Sequence, residues 1–427
     1  MIEILKNIIK DFHTTKLKKE VFTRDLKVPI NSGKVITITG PRRSGKSMFF
    51  HSLIKELEAK SSKKKIIYIN FEDDRIIKEK FKFQDILDAY SQLYPEMELS
   101  ELYFFFDEIQ EMEDWGKFIR RLTETVTSNI FITGSSAKML SADIVSTLRG
   151  RSLVYHLYPL SFKEYCGFKK IDTEDLYSTK NKNLLYSTYQ EFMKKGGYPE
   201  TVFFNEDLRI KTLQSYTDVM LYRDIIERFD IKNIFVLKDM LRRFVANTAQ
   251  TFSTNKYFND LKSRDYKISK DKLYEYAEYF RDTFFVHQLP KYSASIAKQA
   301  QALKKTYMID TGIISAYNFS LAQNYGFVLE NLVCNELLKR DKNIFYQKNG
   351  YECDFVTTEK DEVDELIQVC YDLNDNNKKR EYKGILSAAK HFNKTKGILI
   401  TDMIEDEIIV DGIKISIIPA WKWMSNS

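Results

Sequence analysis

At 427 residues, with 43% hydrophobic and 14% aromatic content, the chain outgrows a single core, which stops growing at roughly 250–300 residues, so two to four domains are expected. Charged residues make up 30%, no run approaches the roughly 18 apolar residues that span a bilayer, and Met1 to Phe12 is amphipathic rather than a signal peptide; these features exclude a membrane protein and place the chain in the cytoplasm. A net charge of +6 is modest for this size, and the four cysteines, Cys166, Cys334, Cys353 and Cys370, lack the CxxC pairing of a zinc site or a disulfide framework.

Prolines and glycines number only seven and fifteen, so helices should dominate. In the first segment, 1–160, short apolar runs alternate with amphipathic helices: Val35 to Thr39, Ile66 to Phe71, Leu102 to Phe106 and Ile130 to Thr133. Continuous apolar strands separated by helices predict an α/β domain with a parallel sheet covered on both faces. The second segment, 161–239, reads as a helical lid interrupted by the turn Gly196-Gly197-Tyr198-Pro199. In the third, 240–325, a helix, the segment Thr254 to Ser263, a second helix from Ser269 and the apolar runs Thr283 to Leu289 and Lys304 to Ile309 predict a winged helix. The last, 326–427, gives the order αβββαβ: a helix over Phe327 to Arg340, strands near Ile344 to Gln347, Cys353 to Thr357 and Leu366 to Tyr371, a helix over Lys379 to His391, and a strand over Gly397 to Thr401 with a final hairpin. That is a small separate domain with a mixed sheet.

The first domain carries the chemistry. Gly40-Pro41-Arg42-Arg43-Ser44-Gly45-Lys46-Ser47 fits GxxxxGK[ST] at every fixed position, between a strand that enters it and a helix that leaves it from Met48. The glycines let the backbone curl so that its N–H groups, backed by the helix dipole, face phosphate oxygens. Gly40 to Met48 are therefore the expected nucleotide contacts of a P-loop NTPase. Lys46 would reach the β- and γ-phosphates of ATP, and Ser47 would ligate Mg²⁺.

The strand Leu102 to Phe106 ends in Asp107-Glu108. Asp107 is suited to the magnesium shell, and Glu108 to orienting or deprotonating the attacking water. The next strand ends in Thr133-Gly134-Ser135-Ser136, which puts hydroxyls near the γ-phosphate edge; Ser135 is the candidate sensor, against a plain Gly-Ser turn into the following helix. Arg151, with Arg149 as its neighbour, is a candidate arginine finger acting in cis or from a neighbouring subunit, against an ordinary basic residue near a helix end.

The segments Ile38 to Ser47, Phe106-Asp107-Glu108-Ile109-Gln110, Thr133 to Ser136 and Leu148-Arg149-Gly150-Arg151, with Pro159-Leu160-Ser161-Phe162, resemble a family of prokaryotic AAA+ ATPases. These proteins join such an ATPase to a C-terminal domain of mostly unknown function. The resemblance extends to Gly197-Tyr198-Pro199-Glu200 and the Glu-Cys-Asp-Phe segment near the end of the chain, and it implies ATP binding, hydrolysis and a regulatory or nucleic-acid-associated role.

In the third domain, with Ser269 to Arg281 as a recognition helix, Lys262, Lys267, Lys270, Lys272 and Arg281 are candidate contacts to DNA phosphates, against a protein-contact role, since Glu275 and Glu278 share the helix. The αβββαβ end, with Glu330, Asp354 and Gln368-Val369-Cys370, resembles the PD-(D/E)XK nuclease core. Gln368 stands where that family has an acid and Cys370 where it has lysine, so nuclease activity is not expected and the domain reads as degenerate. Lys383 is the candidate substitute cation, and Glu352, Asp361 and Glu365 read as surface charges. The expected protein is an ATPase that couples nucleotide state to the winged helix and nuclease-like module, with a homo-oligomer as the candidate assembly and DNA as the candidate target. The alternative is a signalling or defence switch that recruits a protein partner.

Overall fold

A computed structural model describes residues 1–16, 22–77, 80–135, 148, 150–317, 324–360 and 362–426. They form two compact units, Met1–Leu157 and Tyr158–Ser427. No helix among them is long and apolar enough to cross a membrane.

The first unit is built on five parallel strands: β1 (Val35–Thr39), β2 (Ile66–Asn70), β3 (Tyr103–Asp107), β4 (Ile130–Gly134) and β5 (Ser152–His156), in the order β2-β3-β4-β1-β5. Strands β1 and β4 are buried along their whole length, as their unbroken apolar and β-branched sequences require of strands covered on both faces. Helices α1 (Ile2–Thr14), α2 (Lys46–Glu58), α3 (Gln84–Leu93) and α4 (Trp115–Thr125) surround the sheet. Leu5, Ile8 and Ile9 of α1 share a core with Ile67, Phe104, Ile119 and Ile132, while Phe50 and Ile54 of α2 pack with Ile36, Phe105 and Phe131. Strand β5 is absent from the sequence reading because it is an edge strand; Leu153 remains 37% exposed, so no buried apolar run marks it.

The second unit begins with helices α5 (Phe162–Phe168), α6 (Thr179–Lys195) and α7 (Glu206–Val219), the last running on into a π-helical stretch, Met220–Glu227. Ser161 and Glu164 close a capping box at the start of α5. Helix α8 (Ile234–Ala246), strand β6 (Gln250–Phe252), helices α9 (Thr254–Ser263) and α10 (Lys270–Asp282), strand β7 (Val286–Leu289), a short helix α11 (Ile296–Gln301) and strand β8 (Lys304–Met308) follow. The three strands form an antiparallel sheet with β8 in the centre.

After α12 (Thr311–Tyr317) come α13 (Tyr325–Lys339), β9 (Asn343–Asn349), β10 (Tyr351–Glu359), β11 (Glu362–Cys370), α14 (Lys378–Phe392), β12 (Lys396–Thr401), β13 (Asp406–Val410), β14 (Ile413–Pro419) and α15 (Ala420–Ser425). Their six strands make one mixed sheet ordered β13-β14-β12-β11-β10-β9. On one face Leu329, Val333 and Leu337 of α13 meet Phe355, Ile367 and Ile400. The same core takes in Tyr189 and Phe192 of α6, so the segment expected as a lid is packed inside the second unit. The other face carries Ile385 and Ala389 of α14 on Val356, Leu399 and Ile415.

The turn Gly196-Gly197-Tyr198-Pro199 is held by Asp310, which lies between β8 and α12 and is only 4% exposed. Gly197 N–H donates to Asp310 Oδ2 at 2.6 Å and Gly312 N–H donates to Oδ1 at 2.8 Å. Gly196 adopts φ +78, and a Cβ there would lie 2.0 Å from Asp310 Oδ1. Gly196→Ala should therefore destabilise the fold by at least about 1–3 kcal/mol, the cost of a left-handed non-glycine residue before any clash is counted. Urea denaturation checks this; an unchanged midpoint would show that the turn tolerates a side chain.

Candidate functional site

The loop between β1 and α2 has no room for side chains at its start: at Gly40, φ 155, a Cβ would lie 2.1 Å from the carbonyl oxygen of Leu157. Arg43 and Gly45 also take positive φ, 64 and 99, giving the curled backbone that forms an anion-binding concavity. Arg24, itself buried, braces the loop by donating to Ser44 O at 2.9 Å. The Ser44 hydroxyl is buried without a partner among the described residues, an orphan that an incoming phosphate oxygen would satisfy.

Lys46 is 4% exposed. Its ammonium donates to Gly40 O at 3.1 Å and Pro41 O at 3.2 Å, and lies 3.6 Å from Glu108 Oε1. Strand β4, lying between β1 and β3, brings Thr133 beside the acidic pair. Thr133 Oγ1 donates to Asp107 Oδ1 at 2.5 Å and accepts the Glu108 N–H at 2.9 Å. Tyr68 OH donates to Asp107 Oδ2 at 3.0 Å, and the Ser47 side chain hydrogen-bonds the same carboxylate. Burial, then the charge of Glu108, raises the Asp107 pKa, with the three hydroxyls opposing. Burial pushes Glu108 the same way, but the Lys46 ammonium and a hydrogen bond from Gln110 outweigh it and leave this carboxyl below its ordinary range. Ser47 and Asp107 together offer the oxygen donors a magnesium ion prefers, so the set fits a magnesium nucleotide.

The other expected site residues sit as follows. Arg42 pairs with Glu72 at 3.1 Å, Met48 lies in the first turn of α2, and Ser135 is buried just past β4. Ser136 and Arg149 fall outside the described residues. Arg151 precedes β5, and its carbonyl accepts the N–H of Val35, the first residue of β1. The phosphate loop leaves the opposite end of that strand, roughly 13 Å away at about 3.3 Å per residue. The Arg151 side chain pairs with Glu124 of α4, so the expectation of an arginine acting in cis is corrected: the parallel sheet puts it at the wrong edge. Thr133 is the residue whose part the sequence reading underweighted. Its signal was a hydroxyl at the last buried position of the strand.

A second cleft, of about 810 Å³, lies in the second unit and is lined by Glu330, Glu352, Asp354, Gln368 and Arg380 among others. Three of these carboxylates meet the Lys305 ammonium, from β8, which contacts Glu330 Oε1 at 2.8 Å, Glu352 Oε1 at 2.7 Å and Asp354 Oδ1 at 3.0 Å. Two expectations are corrected here. The cation does not come from Lys383, which donates to Tyr351 OH at 3.1 Å, and Glu352 is no free surface charge. Gln368 Nε2 donates to Glu381 Oε2 at 3.0 Å, Cys370 is buried, Glu365 is half-buried, and Asp361 is outside the described residues. On α10, Lys272 pairs with Glu275 at 2.7 Å and Arg281 with Glu278.

The phosphate loop, the acidic pair at the end of β3 and the strand order around them define a P-loop ATPase domain of the AAA type. Residues 32–166 match the family described as AAA domain, and residues 186–323 match a domain of unknown function, DUF8612. The chain belongs to the same family as the uncharacterized protein MJ1544 of Methanocaldococcus jannaschii, to which it is 38% identical over 438 residues, covering 98% of this chain and 95% of that one. An uncharacterized protein of Haemophilus influenzae is 29% identical over 391 residues, covering 90% and 93%. Among solved structures, AMPPCP-bound DnaA from Aquifex aeolicus aligns with a TM-score of 0.29 at 14% identity, covering 79% of this chain and 91% of that one.

The second cleft has a pH signature. Burial, then the charge of Asp354, pushes Glu330 up to about 7 from an ordinary 4.5. The folded protein thus holds this proton more tightly than the unfolded chain, so the contribution favours folding at low pH and is lost as pH rises through the folded value. Glu330→Gln should show a smaller fall in melting temperature than the parent between about pH 5 and about pH 8. Identical falls in thermal melts of the two proteins would contradict this.

Proposed function

We propose that the chain is a cytoplasmic ATPase that binds magnesium ATP in the Gly40 to Met48 loop, hydrolyses it, and passes nucleotide state to a winged-helix and nuclease-like module. The observation that carries this reading is the convergence of Lys46, Ser47, Asp107, Glu108 and Thr133 on one edge of the sheet. Lys46 would exchange its loop carbonyls for phosphate oxygens, which frees Glu108 from its pairing with the ammonium. Glu108, whose ionised form the hydrogen bond from Gln110 continues to favour, is then suited to take a proton from attacking water. Ser47 and Asp107 would hold the magnesium, which supplies charge neutralisation at the phosphates when bound. Ser135 remains a proposed nucleotide contact.

The winged-helix reading of 240–325 is supported by the order helix, strand, helix, helix, hairpin, with β6 pairing on β8. The nuclease-like reading of 326–427 is supported by the αβββαβ order around Glu330 and Asp354. There the Lys305 ammonium neutralises the carboxylates a metal would need, and Gln368 is committed to Glu381, so we do not expect cleavage of DNA. A second reading, a nucleotide-dependent switch that recruits a protein partner, is favoured by the cations of α10: Lys272 and Arg281 already pair with carboxylates of their own helix, which weakens that face for phosphate contact. ATP turnover stimulated by DNA would support the first reading, and turnover indifferent to DNA the second.

Lys46→Ala should abolish ATP binding by calorimetry, because it removes the buried ammonium that rests on the Gly40 and Pro41 carbonyls at the mouth of the loop. Glu108→Gln should keep ATP affinity while turnover falls by about 10²–10⁴. Undiminished ATP affinity in the lysine variant would remove the assignment. For Arg151 a role between subunits stands as the proposal, and mixing Arg151→Ala with Glu108→Gln protein should then restore hydrolysis where an intact arginine meets an intact site. Absence of rescue in verified mixed assemblies would leave Arg151 only its pairing with Glu124.

A further inference from the structure

The tight turn after Glu108 returns the chain so that Gln110 faces the glutamate two residues before it. Gln110 Nε2 donates to Glu108 Oε2 at 2.5 Å. The orientation of this amide is fixed by chemistry: an ionised carboxylate only accepts hydrogen bonds, so the NH₂ end must face it and the carbonyl must face away. That carbonyl, Gln110 Oε1, is buried and has no hydrogen-bond partner among the described residues. Buried acceptors are almost always satisfied, and one left open beside a reactive group calls for a donor that arrives later. Glu108 itself is held from two sides besides Gln110, by the Thr133 hydroxyl on its N–H and by Lys46 at 3.6 Å.

Resting on the ATPase reading, we propose that Gln110 is a further catalytic residue, whose Oε1 accepts the second hydrogen of the water that attacks the terminal phosphate of ATP. A water molecule has two hydrogens and needs one lone pair aimed at phosphorus. Glu108 alone fixes one hydrogen and leaves the molecule free to rotate about that bond. With one hydrogen on Glu108 and the other on Gln110 Oε1, the remaining lone pair has a defined direction. In the step, the water oxygen forms a bond to the γ-phosphorus and the bond to the β,γ-bridging oxygen breaks. One water proton passes to Glu108, and the products are ADP and inorganic phosphate. The hydrogen bond from Gln110 Nε2 to Glu108 keeps the two acceptors at a fixed spacing, so the pair acts as one clamp.

The test uses the full chain with Gln110→Ala and Gln110→Leu, the second preserving bulk. ATP affinity by calorimetry should stay within about twofold of the parent, because in this arrangement Gln110 binds the water and Glu108 rather than a phosphate, while kcat should fall by about tenfold or more, as when a hydrogen-bonding group is removed from a transition state. A readout without turnover accompanies it: affinity for ADP with aluminium fluoride, which mimics the in-line water and phosphoryl group, should fall by about the same factor as kcat, with ADP alone unaffected. Full turnover in both variants, or parallel losses of ATP affinity and kcat, would overturn the proposal. A parent protein that binds ATP without hydrolysing it would instead sink the ATPase reading, and in that case equal affinity of parent and variant for ADP with aluminium fluoride would sink the role of Gln110 separately.

Discussion

A carboxylate with no exposed surface is costly to bury unless its oxygens are hydrogen-bonded, and Asp107 meets that condition with hydroxyls drawn from three separate elements. Tyr68 comes from β2, Thr133 from β4 and Ser47 from the start of α2. The strand order that sets β4 between β1 and β3 is what makes this possible, because it puts a hydroxyl-bearing strand end directly between the phosphate loop and the acidic pair. Thr133 spends its hydrogen on Asp107 and its lone pair on the Glu108 N–H. The backbone at Glu108, held at φ 50, is thereby tied to the same centre. The loop, the candidate magnesium donors and the candidate base are in this sense one network.

The second unit solves the same problem with different chemistry. Asp310 is buried and answered by backbone N–H groups of two glycines, which only residues without side chains can bring so close. Glu330, Glu352 and Asp354 are answered by one ammonium. Removing Lys305 would leave like charges together at low dielectric, a larger penalty than losing any one of the carboxylates. Because Lys305 sits on the central strand of the three-stranded sheet, this ion cluster also joins that sheet to the six-stranded one.

These two clusters differ in what they leave open. Around Asp107 and Glu108 some groups are provisional: Lys46 rests on loop carbonyls, the Ser44 hydroxyl is unanswered, and Gln110 Oε1 has no donor. Such unmet groups suit a site completed by a ligand. Around Lys305 the charges face one another, and the cleft above them is bordered by Arg380 paired with Glu381 and by Lys348 paired with Glu352.

Much of this was legible in the chain itself. The GxxxxGK[ST] spacing, the apolar runs of β1 to β4 and the helical periodicity around the αβββαβ end depend on local rules, strand alternation, glycine conformation and helix capping, that act over a few residues. The phosphate loop follows from those rules, as does the place of Asp107 and Glu108 at the end of an apolar strand, because each of these signals lies within a few consecutive residues. What the sequence alone left undecided involved residues far apart along the chain. Lys305 reaches carboxylates 25 and 49 residues away, Asp310 holds a glycine turn 113 residues upstream, and Arg151 stands at the edge of the sheet away from the loop, since a parallel strand begins at the end where its neighbour also begins. Only the tertiary fold sets which distant charges share a low-dielectric interior, and there the cost of an unanswered charge selects partners that no local spacing encodes.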